Sequence, residues 1–135
     1  MTDEIVYERT TEGITVRVLP IFLDEQSEPE RGHYLWAYQV LIVNRGARTV
    51  QLMRRHWIVT DAFGRVQEVE GEGVVGEQPI LAPGAQFDYT SGTPLPTPSG
   101  FMGGSYLMRD DTGRELTVAI PTFSLNSPES AGHLH

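Results

Sequence analysis

Two four-residue segments, Asp61-Ala62-Phe63-Gly64 and Asp110-Asp111-Thr112-Gly113, share one grammar, with aspartate first and glycine fourth. That pattern marks a type I turn closed by a left-handed glycine bulge, a common link between antiparallel strands. Ala82-Pro83-Gly84-Ala85 places proline and then glycine centrally, as a type II turn requires, and Asn44-Arg45-Gly46 is a further turn. The runs between these turns have strand character. Ile14, Val16 and Val18 alternate with Thr15 and Arg17, and the run continues through Pro20 to about Leu23, the proline indicating an edge or a bulge. His33 to Asn44 is apolar on both faces, as expected of a strand inside a sheet. Further strands are expected over Thr49–Asp61, Arg65–Glu70, Gln86–Ser91, Ser105–Arg109 and Glu115–Leu125. No window has the apolar spacing of an amphipathic helix without glycine or proline interrupting it.

These features predict an all-β antiparallel sandwich of about seven or eight strands. The spacing of Asn44–Gly46 and of Leu81-x-Pro83-Gly84-x-x-Phe87-x-Tyr89 is similar to that of immunoglobulin and fibronectin type III domains. A chain of 135 residues is sized for one core. The domain is expected over residues 1–125, with 126–135, NSPESAGHLH, as a flexible polar tail.

Composition removes several function classes. A net charge of −8 opposes binding to nucleic acid or an anionic membrane. No segment approaches the length of a membrane span, and MTDEIVYERT is too acidic for a signal peptide, so a cytoplasmic protein is expected. Without cysteine there is no disulfide, thiolate nucleophile or Cys-type metal site. All ten Lys-plus-Arg positions are arginine. The lysines of P-loops, Schiff bases and kinase strands are therefore missing.

Gly71, Gly73 and Gly76 spell G-x-G-x-x-G. A dinucleotide fingerprint needs a helix after the glycines, and Pro79, Pro83 and Gly84 leave no room for one. Two uses remain. The glycines serve a close-packed bulged loop, or their amides form a nest for an anion, against the repulsion of Glu68, Glu70, Glu72 and Glu77. On a regular strand, Leu52, Arg54, His56 and Ile58 share one face, and Met53, Arg55, Trp57 and Val59 share the core face. Arg55 then needs a carboxylate or carbonyl partner and is expected in a structural ion pair. Arg54 and His56 face away and form a candidate basic spot for phosphate or an acidic peptide.

The segment Thr90–Gly104, TSGTPLPTPSGFMGG, is expected to be a long stiffened loop. Its Leu95, Phe101 and Met102 either anchor a protein partner or fold down to cap the sandwich. His33, His56, His133 and His135 are scattered, and the acidic loop from Asp24 to Gly32 lacks an EF-hand pattern, so no metal site is expected. No cofactor is expected either, and no catalytic residue stands out, since G-x-S-x-G and H-E-x-x-H are both missing.

From about Tyr34 to Leu125 the chain resembles the ApaG family, also called CorD. The residues that carry this are Trp36-Ala37-Tyr38-x-Val40-x-Ile42-x-Asn44, Gln51-Leu52-x-Arg54-Arg55-His56-Trp57-Ile58-x-Thr60-Asp61 and Val69-x-Gly71-x-Gly73-Val74-Val75-Gly76-x-x-Pro79. Leu81-x-Pro83-Gly84, Tyr89-Thr90-Ser91-Gly92, Gly100-x-Met102-x-Gly104 and Ile120-Pro121-x-Phe123-x-Leu125 extend the match. The resemblance implies a fibronectin-type sandwich in a small bacterial cytoplasmic protein, linked genetically to cobalt and magnesium tolerance and to dinucleoside polyphosphate metabolism. Related domains in eukaryotic F-box proteins and in a DNA-polymerase-interacting protein look like binding modules. The leading expectation is a non-catalytic interaction module for a protein partner or a phosphate-bearing ligand. The alternatives are a nucleoside polyphosphate or pyrophosphate sensor or hydrolase, and a direct divalent-metal binder.

Overall fold

The computed structural model describes residues 5–128. It contains strands β1 (Tyr7–Thr11), β2 (Ile14–Phe22), β3 (Tyr34–Asn44), β4 (Val50–Asp61), β5 (Val66–Glu72), β6 (Ile80–Leu81), β7 (Gln86–Leu95), β8 (Ser99–Asp110) and β9 (Glu115–Asn126), with a 3-10 turn at Pro29–Arg31. One sheet has the order β1-β2-β3-β7 and the other β5-β4-β8-β9, with β6 added to β4. Every pairing is antiparallel, giving an immunoglobulin/fibronectin type III-like sandwich. Strands β1 and the two-residue β6 are additional to those expected from sequence. β3 lies inside its sheet, between β2 and β7. Pro20 is accommodated because β1 pairs only as far as Val18, so beyond that point β2 is locally an edge.

The turn chemistry holds at residue level. Gly64 and Gly113 both have φ near the left-handed value, +81° and +86°. Their amides donate to the Asp61 and Asp110 carbonyls, and each aspartate side chain accepts two further main-chain N–H groups of its turn. Burial alone would raise the Asp61 pKa. The N–H groups of Arg65 and Phe63 and the Arg65 guanidinium outweigh that and hold the carboxyl below its usual range. Asn44 ties three segments together: its amide nitrogen donates to the carbonyls of Arg48 and Leu81, and its oxygen accepts from Gly46. The expected flexible tail begins too early, because Asn126 is the last residue of β9 and the buried Ser127 donates its amide to the Pro98 carbonyl. Residues 129–135, with His133 and His135, lie outside the described residues.

Between the sheets Trp57 stands at the centre of an aromatic cluster. Its ring lies 4.9 Å from Tyr38, and it meets Phe123 and Tyr106 edge-on at 6.1 and 6.4 Å. Tyr89 of β7 and Tyr106 of β8 join their hydroxyls across the core. Burial pushes both phenols well above their ordinary range, so each remains protonated in the fold. The unfolded chain releases these protons near pH 10, whereas the folded one retains them. This stability is therefore complete at neutral pH and is lost as pH rises above about 10. Thermal unfolding followed from pH 8 to 12 should show a plateau and then a steep fall. In a Tyr89→Phe/Tyr106→Phe variant the fall should be shallower, with little change at pH 7 because both polar partners are removed together.

Candidate functional site

β4 departs from strict alternation. The β4–β8 register shifts between Leu52 and Arg54, so Leu52 and Trp57 are both buried although they sit on opposite sides of a regular strand. The carbonyl of the bulged Met53 accepts the Gly73 amide and the Gln78 side chain, pinning the glycine loop to β4. After the bulge Arg55, Trp57 and Val59 face inward, while Arg54, His56, Ile58 and Thr60 face outward. The expected placement of Arg55 is correct, and that of Leu52 is not.

Arg55 finds carbonyls rather than a carboxylate. Its Nη1 donates at 3.0 Å to the main-chain oxygens of both Glu72 and Gly73. The ion pair expected of it is thus replaced by charge-assisted hydrogen bonds to the strand it crosses. Gly71 makes this possible: a Cβ there would lie 2.8 Å from both terminal guanidinium nitrogens. The other two glycines have separate reasons. Gly73 has φ +63°, and a Cβ on it would come within 2.2 Å of the Glu77 carbonyl oxygen. Gly76 (φ +82°) and Val75 (φ +43°) form a two-residue turn closed by reciprocal hydrogen bonds between Val74 and Glu77. The chain then enters β6. The amides of Gly73, Val74 and Glu77 are thereby committed to main-chain acceptors.

On the outer face, His56 Nε2 lies 2.7 Å from Glu68 Oε1. Arg54 is opposite Glu72 in register, and among the described residues no ion pair joins them. The candidate basic spot is therefore interleaved with carboxylates. Farther along, Thr60 pairs with Val66 on one side and Phe101 on the other, with Ile58 two residues away. Val66, Phe101 and Ile58 are 60%, 48% and 37% exposed. Gly103, next to Ile58 on β8, adds no side chain that would cover them.

The segment Thr90–Gly104 is not a loop. It forms the end of β7 and the start of β8, so the three expected anchors separate. Leu95 and Met102 are buried in the core, and Phe101 alone faces solvent. Strand alternation explains this, since Phe101 and Met102 are neighbours and must point to opposite faces. Sequence reading missed the alignment of Phe101 with Val66 and Ile58, because that alignment depends on β4 joining β5 and β8. No group of three His, Cys, Asp or Glu side chains among the described residues is placed to hold a metal ion. No helix among them is long and apolar enough to cross a membrane.

A family model described as the ApaG domain matches residues 24–110. The curated Protein ApaG of Paramagnetospirillum magneticum is 59% identical over 130 residues, 96% of this chain and 100% of that protein. Protein ApaG of Rhodospirillum centenum is 60% identical over 123 residues, covering 91% of this chain and 95% of its own. Among solved structures, a crystal structure assigned to the ApaA protein of Bordetella pertussis superposes with a TM-score of 0.83 at 50% identity, covering 85% of this chain and 94% of that one.

Proposed function

The chain belongs to the ApaG domain family, and on that premise we propose that it is a small non-catalytic interaction module that holds a protein partner on the outer face of the β5-β4-β8-β9 sheet. One observation carries the proposal: Phe101, Val66 and Ile58 are exposed together on the outer face of a sheet whose inner face buries Trp57, Val59 and Met102. Apolar side chains grouped in this way, with charged groups at the margin, are what a binding surface offers and what a solvated face avoids. A phosphate-bearing ligand at the glycine loop has less support. Three of the loop amides are already used, and Glu70 and Glu72 lie beside it. A cytoplasmic location belongs to the same proposal and is in keeping with a cysteine-free chain.

The test places p-benzoylphenylalanine at Phe101 and, as control, at Gln39, an exposed residue on the outside of the other sheet. Illumination in cells should give one stoichiometric adduct from position 101 and none from 39. Phe101→Asp should abolish co-purification of that partner while changing stability by about 1 kcal/mol or less. Equal labelling from both positions, or no adduct from 101, would refute the proposal.

A further inference from the structure

We infer that the free edge of β5 is a docking strand for an extended segment of another protein, one that carries basic residues at alternate positions. The inference rests on the reading of this sheet as the working surface, and it names the chemistry of the partner.

β5 ends its sheet and pairs only with β4 among the described residues. It is seven residues long, with all but Gly71 exposed. A strand in this position offers main-chain donors and acceptors that an added strand can satisfy, the Glu72 carbonyl apart, since it already accepts from Arg55. Its side chains determine which strand can add. Glu68, Glu70 and Glu72 point to the outer face at every second residue, opposite Ile58, His56 and Arg54 of β4. Glu68 is held by His56, and no ion pair among the described residues engages Glu70 or Glu72. Between them, on the other face, Val69 is 44% exposed.

An added strand would therefore meet carboxylates on one face and an apolar residue on the other. Its complement is an alternating run of Arg or Lys with Val or Ile, each basic side chain paired across the strands with a carboxylate. A second copy of this chain is the wrong occupant, because two β5 edges would set carboxylates against carboxylates. The carboxylate row thus excludes self-pairing and selects a basic guest, and Val66 continues the surface towards Phe101.

The probe is a capped peptide of alternating arginine and valine, compared with a peptide of equal composition whose arginines are grouped at one end. A third peptide repeats the alternation with N-methyl groups on every second residue. Each is titrated into the full chain at fixed ionic strength and followed by amide shifts. The alternating peptide should bind roughly tenfold more tightly than the grouped one. Its shifts should centre on Val66–Glu72, and amide exchange should slow there. N-methylation should remove binding, as should Glu68→Gln/Glu70→Gln/Glu72→Gln, a set of exposed substitutions that spares the core. Equal binding by all three peptides would reduce the effect to bulk charge attraction and overturn the inference. So would shifts elsewhere, or no binding, which would leave the carboxylates as edge protection alone. If the peptide fails while position 101 still captures a partner, only the edge assignment falls. If the peptide binds while position 101 captures nothing, the edge stands and the apolar face does not.

Discussion

Gly104→Ala is expected to destabilise the domain more than any other single glycine substitution in it. A Cβ at Gly104 would sit 1.9 Å from the His56 carbonyl oxygen and 3.1 Å from the Trp57 Cα, both main-chain atoms of β4. Neither can yield without parting β4 from β8 at the strand that carries the central tryptophan. Ordinary overpacking costs about 1–3 kcal/mol, and a collision with main-chain atoms that cannot turn aside exceeds it, so a loss on the order of 4 kcal/mol is expected, a large share of the stability of a domain this size. Calorimetry should register a melting temperature roughly 15 °C lower. A fall of only a degree or two would mean that β8 does not approach β4 as described.

Gly73→Ala is expected to be the next most damaging, at about 2–3 kcal/mol. It combines a positive φ with a main-chain collision at the Glu77 carbonyl. The loop is at the edge of the sheet and can relax further than the core. The comparison with its neighbour is the informative part. Gly76 also has positive φ, but a Cβ there meets nothing within 4 Å, so Gly76→Ala should cost only about 1 kcal/mol, the left-handed penalty alone. Denaturant unfolding of the two variants side by side checks this order. Equal and negligible effects would mean that the glycines are not needed by the fold and are free for a ligand.

The fold was legible wherever a turn has its own local chemistry. Asp61–Gly64 and Asp110–Gly113 form the predicted turns because the aspartate oxygens and the glycine φ are set within four residues. β1 was overlooked because Tyr7–Thr11, YERTT, has no apolar alternation, and it is ordered by pairing with β2. Prolines made Thr90–Gly104 look like a loop. Pro94 fits a strand because β7 is an edge, where a missing N–H can face away from the ladder. Pro96 and Pro98 lie in the turn between β7 and β8.

The candidate site was less legible. That Arg55 faces inward followed from alternation. Its carbonyl partners did not, since they depend on β5 crossing beside β4 at Gly71. The bulge at Met53 has no sequence signal of its own and moved Leu52 into the core. Phe101 was a correct candidate in an incorrect setting: it is exposed, but on a sheet face with Val66 and Ile58 rather than on a loop with Leu95 and Met102.

The central claim is that Gly71, Gly73 and Gly76 serve the architecture of the β4–β5 edge, while binding takes place on the sheet they support. Amide spectra of the folded chain, titrated with pyrophosphate, ATP and diadenosine tetraphosphate with and without magnesium, test it most directly. The account predicts no saturable shift at Gly71–Gly76 or along Arg54–His56. Saturable shifts confined to those residues would contradict it.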